Sequence, residues 1–216
     1  MPDKASTVLL ADTAPLWEAI RQHAIVQRIA AGTLPWEDFD FWIEQDFHYV
    51  AGARRFLCLL LARANEQDTI ERLGHGLIAL GEEMDAFRRY ARERGLTIGA
   101  EPAPTTEAYV NFLINSAVNS FEAGFAVLFA EERACFDVWR SIRERAAPNN
   151  PYQQWIDRWT SPEFRSYVSW IEATFNRSVD GWPANALEPL RRAYRLAARY
   201  EFLFWEMVAR KERWPI

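Results

Sequence analysis

A chain of 216 residues with 50% hydrophobic side chains has enough apolar material for one folded domain with a sizeable core. Its formal net charge of −5 argues against nucleic acid or an anionic membrane as the main partner, and its two cysteines, Cys58 and Cys135, form neither a disulfide framework nor a metal-binding spacing. No signal peptide and no apolar run of spanning length is visible, so a soluble, cytoplasmic, non-membrane protein is the simplest expectation.

Taken in order, the polar Met1–Thr7 reads as a loose terminus that extends to about residue 10. A first helix is expected from about Ala11 to Ala31, ended by Gly32 ahead of the Leu34-Pro35 turn. Trp36 to about Asn65 reads as a long second helix. A third runs from about Glu66 to Gly95 with Ile70, Leu73, Leu77, Leu80, Met84 and Phe87 on its inner face. Leu96–Pro104 is a loop, and Thr105-Thr106-Glu107 opens a fourth helix, with threonine as its cap, to about Ser120. A fifth follows to about Ala147, and Pro148-Asn149-Asn150-Pro151 breaks the chain. Short helices are expected over Tyr152–Trp159 and from Ser161 to about Asn176, the latter capped by Ser161 with Pro162 at its first position. After the turn at Asp180-Gly181-Trp182-Pro183, a last helix spans about Ala184–Arg213. No strand pattern competes, so the expected fold is all-α, a single-domain bundle of seven or eight helices over residues 1–216.

Three carboxylates stand where apolar residues belong. At 100° per residue, Phe125, Leu128, Phe129, Cys135, Phe136 and Trp139 all fall within about 60° of Glu132. Asp46 is framed in the same way by Phe39, Trp42, Ile43, Tyr49, Val50 and Ala53, and Glu201 by Tyr194, Ala197, Ala198, Phe204, Trp205 and Val208. A carboxylate among apolar groups is costly unless it is paired or neutral. One alone is more often a structural ion pair, here with Arg54, Arg55 or another arginine. Three on three helices that can share an interior favour a common polar pocket. On this helical argument Glu131 and Arg133 are ordinary boundary charges, although a one-residue register error would exchange Glu131 and Glu132. Tyr109 belongs to the same set or to the core, and Trp159 and Phe136 read as core by composition.

Bundles of carboxylates often hold two irons through Glu and Glu-x-x-His pairs. The three histidines, His23, His48 and His75, stand at no such spacing from these carboxylates, and each reads better as a boundary residue than as a ligand. There is no Ser-His or Cys-His arrangement either. A site without metal or cofactor is therefore expected, with carboxylates and tyrosines acting as acids, bases and hydrogen-bonding groups.

Two ordered motifs carry a resemblance. Ile29-Ala30-Ala31-Gly32-Thr33-Leu34-Pro35 precedes Phe41-Trp42-Ile43-Glu44-Gln45-Asp46-Phe47-His48-Tyr49, and Tyr152-Gln153-Gln154-Trp155-Ile156 precedes Ser161-Pro162-Glu163-Phe164. With Tyr109–Leu113 and Glu201-Phe202-Leu203-Phe204-Trp205, the chain from about Trp17 to Trp205 resembles the TenA/THI-4 family, thiaminase II-like proteins of the haem-oxygenase-like all-α fold. The resemblance implies that Asp46 holds an aminopyrimidine ring, that Tyr49 and Tyr109 belong to the same site, and that Glu201 is the acid or base at the scissile bond. Glu132 stands where the best-known branch has a nucleophilic cysteine, so the chain looks like the branch in which glutamate replaces it. Cys135 is one turn out of place. Phe136 and Trp159 stand at tyrosine positions, which makes the expected pocket more apolar.

The expected activity is hydrolysis of a C–N bond in an aminomethyl- or formylaminomethyl-pyrimidine, in thiamin salvage. Glu132 is base or nucleophile, Glu201 is the complementary acid, and Trp42, Phe47, Tyr49, Trp159 and Trp205 are available to stack on a flat ring. Two alternatives stay open: an oxidase or oxygenase of the same superfamily, of the pyrroloquinoline-quinone-synthesis or di-iron kind, and a non-enzymatic regulator. The acidic balance argues against direct DNA contact. The resemblance further implies a homotetramer or homodimer.

Overall fold

A computed structural model describes residues 4–99 and 101–215, and every regular element in them is an α-helix. Nine helices are present among these residues: α1 Ala5–Arg21, α2 Ala24–Ala31, α3 Trp36–Leu61, α4 Gln67–Arg94, α5 Pro104–Asn119, α6 Phe121–Arg145, α7 Gln153–Trp159, α8 Pro162–Ser178 and α9 Ala184–Arg210. None is long and apolar enough to cross a membrane.

The ninth helix arises because the expected first helix is two. The chain breaks at Gln22-His23, where the His23 imidazole accepts a hydrogen bond from the Ile25 N–H and so caps α2. The apolar spacing continues across this break, which hides it from periodicity. The N-terminal stretch read as loose is helical from Ala5, with Ser6 and Leu9 buried; its first three residues lie outside the described ones. The α5 start also differs. Ala103 is the N-cap and Pro104 occupies the first helical position, so Thr105 and Thr106 lie inside the helix. The last helix stops at Arg210, where Lys211 takes a left-handed conformation (φ 47°).

The chain packs as two compact units. One comprises residues 1–34 and 125–209, the other residues 35–124 and 210–216. In the first, Phe129 packs between Phe175 and Tyr194, with ring centroids 5.7 and 5.3 Å away, and Trp17 meets Tyr194 edge-on at 6.1 Å. The turn after α6 clamps α2 in place. The buried Asn150 amide donates to the carbonyls of Ile29 (2.8 Å) and Ala30 (3.0 Å), its oxygen accepts from the Tyr152 N–H (2.9 Å), and the Tyr152 hydroxyl donates to the Leu34 carbonyl. The Ile29 and Ala30 carbonyls also accept from the Gly32 and Ala147 N–H groups, respectively, so the end of α2 is held by side chain and backbone together. Gly32, at φ 69°, makes the sharp exit from α2 that a side chain would strain.

In the second unit α3 packs against both α4 and α5. A Cβ added at Gly52 of α3 would lie 2.4 and 2.6 Å from the two methyls of Val110 on α5, so the helices approach through the missing side chain. Tyr90 and Arg94 of α4 both donate to Asp40 of α3, at 2.6 Å each. The C-terminal tail joins this unit: Lys211 pairs with Glu37 (2.7 Å) and Asp38 (2.9 Å), and the Trp214 indole donates to the Pro102 carbonyl.

Two substitutions test this packing. Gly52→Ala should lower unfolding free energy, because overpacking typically costs about 1–3 kcal/mol and exceeds the gain of about 1 kcal/mol in helix propensity. Chemical denaturation should show that adding Val110→Ala recovers part of the loss. Asn150→Ala removes the three hydrogen bonds with which this side chain holds the turn on α2 and should cost about 1–3 kcal/mol in the same measurement.

Candidate active site

Each unit contributes part of the residue set read from the sequence. In the second unit, Gln45 of α3 is fully buried. Its side-chain oxygen accepts from the Ala103 N–H at 2.8 Å and from the Thr106 hydroxyl at 2.9 Å. This anchors the start of α5, and one turn later Tyr109 is fully buried with its ring 5.0 Å from that of Tyr49. The structure thus brings the Tyr49 and Tyr109 rings together. Asp46 follows Gln45 and is half-buried. Trp42 is buried against Phe39, at 5.3 Å between centroids, whereas Phe47 is half-buried beneath the Arg88 guanidinium at 5.4 Å.

Gln45 was legible only as a motif letter; the structure shows that it sets the α5 start. Its amide nitrogen and the His48 Nε2 are buried and have no hydrogen-bond partner among the described residues.

In the first unit the central element is α6. Every residue from Gly124 to Glu131 is buried, so for two turns this helix has no solvent side. Glu131 is 7% exposed and Glu132 half-buried. The reading of Glu131 as an ordinary boundary charge is therefore corrected. A helix covered all round buries residues 100° off its apolar stripe as well as those on it. Arg133, next in sequence, donates to Asp137 at 2.7 Å and to Glu172 at 3.2 Å. Burial works against its charge, but these two carboxylates outweigh it and hold the guanidinium ionised. Cys135 is half-buried and reduced.

Glu201 of α9 is half-buried; Phe204 and Trp205 beside it are buried. One turn on, Glu206 accepts from His23 Nε2 at 3.2 Å if that nitrogen carries the proton. Trp159 is drawn into a stack, 4.6 Å from Trp139 and 5.3 Å from Trp155 with ring planes 31° and 17° apart. Phe136 meets Phe164 edge-on, and Arg140 and Arg165 lie over its ring at 5.9 and 5.8 Å. Both residues thus have protein neighbours on their rings.

One residue of this unit was missed. Tyr167 of α8, half-buried as a residue, has a buried hydroxyl with no hydrogen-bond partner among the described residues. Burial, followed by the negative charges of Glu132 and Glu131, pushes its pKa well above the usual tyrosine range, so it stays an O–H donor. A search restricted to carboxylates could not find it; the signal was its place two turns after Ser161-Pro162, on the helix that packs near α6 through Trp170. Among the described residues, no three or more His, Cys, Asp and Glu side chains gather closely enough to hold a metal ion.

Known proteins match this chain over nearly its whole length. It is 28% identical over 211 residues to an aminopyrimidine aminohydrolase of Halalkalibacterium halodurans, spanning 93% of each chain. A Bacillus subtilis protein of the same name is 26% identical, with 92% of this chain and 86% of that one aligned. Among solved structures, a TenA homologue from Pyrococcus furiosus superposes with a TM-score of 0.91 at 29% identity, covering 94% of this chain and 99% of that one. The all-α, haem-oxygenase-like fold is shared with that protein. The TENA/THI-4/PQQC family model matches residues 10–211, and the chain belongs to this family.

Proposed function

We propose that the protein hydrolyses the C–N bond of an aminomethyl- or formylaminomethyl-pyrimidine produced by thiamin breakdown, using carboxylates and no metal. The observation that carries this reading is the near-full-length similarity to proteins named aminopyrimidine aminohydrolase. The glutamate turn of α6 supports it: Glu131 is buried and Glu132 half-buried, and successive carboxylates withdrawn in this way from water are found above all at functional sites.

The roles divide by chemistry. Asp46, beside the Tyr49–Tyr109 pair, accepts hydrogen bonds from the ring amine, and Trp42 and Phe47 belong to the same stretch of α3. Glu132 takes a proton from water, or attacks directly. The carbon–nitrogen bond breaks, oxygen from water replaces nitrogen on carbon, and Glu201 delivers a proton to the departing amine. From the aminomethyl substrate the products are the hydroxymethylpyrimidine and ammonia. Trp159 and Phe136 fill positions where hydroxyls are expected and serve as apolar walls. We also infer a homo-oligomer, dimer or tetramer, in keeping with the exposed apolar side chains of Ile78, Val118 and Leu203. Light scattering tests that mass.

The decisive assay follows ammonia and hydroxymethylpyrimidine release from the aminomethyl compound, its N-formyl derivative and thiamin. Glu132→Gln should lower kcat by about 10²–10⁴-fold with the fold intact by circular dichroism. Activity kept in Glu132→Gln and lost in Glu131→Gln would transfer the role to Glu131. Absence of turnover of all three compounds by the wild type would overturn the reading. Asp46→Asn should act on recognition, raising KM by about tenfold or more through loss of a charge-assisted hydrogen bond.

A further inference from the structure

We propose that Tyr167 contacts the substrate, its hydroxyl donating a hydrogen bond to a lone pair of the heterocycle bound at the Glu131–Glu132 turn. This inference rests on the aminopyrimidine reading above and adds to it a residue that the resemblance does not supply.

Three observations carry it. The Tyr167 ring stacks on Trp170, one turn along α8, at 5.6 Å and 24°, and Trp170 meets Phe125 of α6 edge-on at 6.0 Å. The ring is thereby braced against α6, and its hydroxyl does not turn out to solvent. That hydroxyl is buried and makes no hydrogen bond to any described residue. A buried polar group without a partner is uncommon in folded proteins and costs stability, so its retention calls for a function. Finally, the charged groups acting on it are Glu132 and Glu131 of α6, the turn at which water is activated.

The chemistry of the group then selects its ligand. A tyrosine kept protonated beside two carboxylates offers a donor. Its complement is a neutral acceptor: a pyrimidine ring nitrogen, the oxygen of a hydroxymethyl group or the carbonyl of a formylamino group. A protonated amine has no lone pair to offer and is matched to the glutamates instead. Phe136 and Trp159 lack the hydroxyls expected at their positions, and Tyr167 offers one from α8, one turn beyond the Phe164 that meets Phe136.

Tyr194 supplies an internal control. Its hydroxyl is also buried and unpartnered, and burial raises its pKa, but the charges around it are Arg133, Asp137 and Glu172, an ion-pair cluster outside the proposed chemistry.

The test compares wild type, Tyr167→Phe and Tyr194→Phe. Calorimetry measures hydroxymethylpyrimidine binding, kinetics follow the substrate that the wild type turns over, and thermal unfolding reports stability. Deleting an unpartnered buried hydroxyl should leave Tm unchanged or raise it by about 2–6 °C in both variants. Tyr167→Phe alone should weaken hydroxymethylpyrimidine binding and lower kcat/KM by about tenfold. A structural role would not combine a retained or raised Tm with weaker binding. If wild type binds or turns over the pyrimidines and Tyr167→Phe matches it, the assignment of Tyr167 is overturned and the aminopyrimidine reading stands. An equal loss in Tyr194→Phe would make the effect a general one of core polarity and also overturn it. If wild type neither binds nor turns over any pyrimidine, the aminopyrimidine reading falls and takes this inference with it.

Discussion

A helix with no solvent side cannot dispose of a charge by turning it outward. That constraint governs α6, where every residue from Gly124 to Glu131 is buried and the half-buried Glu132 follows directly. Elsewhere on the same helix charge is settled in the ordinary way, Arg133 bridging Asp137 and Glu172 and Arg143 reaching Asp157. The glutamate turn is set among Phe125, Phe129, Ala134 and Phe136, all buried. Low polarity around a carboxylate strengthens each interaction it makes and makes its protonation state sensitive to small changes nearby. Acid–base chemistry at neutral pH depends on such a setting, which gives α6 its central place in the proposed mechanism.

The residues of α3 and α5 have a different foundation. Gln45 gives its amide oxygen to the first turn of α5, and Gly52 lets Val110 come within the reach of a side chain that is not there. Both devices fix how α3 and α5 lie against one another, and the Tyr49–Tyr109 pair depends on that register. A motif that reads as Gln-Asp therefore contains two separate tasks. The first residue assembles the scaffold, and the second, half-buried, is the one to which the proposed mechanism gives ring recognition.

Much of this was legible in the sequence because helix punctuation is local. Gly95 ends α4 in a left-handed conformation, and the Ser161 side chain accepts from the Phe164 N–H ahead of Pro162, as their residue types require. Fold class and the family motifs follow from the same local information. What stayed hidden depends on contacts distant in sequence. The α1–α2 break leaves the apolar period intact, and His23 becomes a cap only once the chain has turned. Periodicity ranked Glu132 above Glu131 on the assumption of an exposed face, which α6 lacks in this segment. Tyr167 resembles any core tyrosine until its hydroxyl is seen to have no partner.

The interleaving of the two units has a consequence for synthesis on the ribosome. Residues 35–124 are contiguous and can form most of their contacts as they emerge. The N-terminal helices cannot: Ser6 bonds Asn176 across 170 positions, and His23 meets Glu206 across 183. At roughly 5–20 residues per second, that delay is about 9–37 s. During it Ile20, Ile25, Val26 and Ile29, all buried in the finished protein, have no partners from the C-terminal half to cover them. A segment made early is thus among the last of this unit to be secured, and for that interval its apolar side chains have only their own short helices to shelter them.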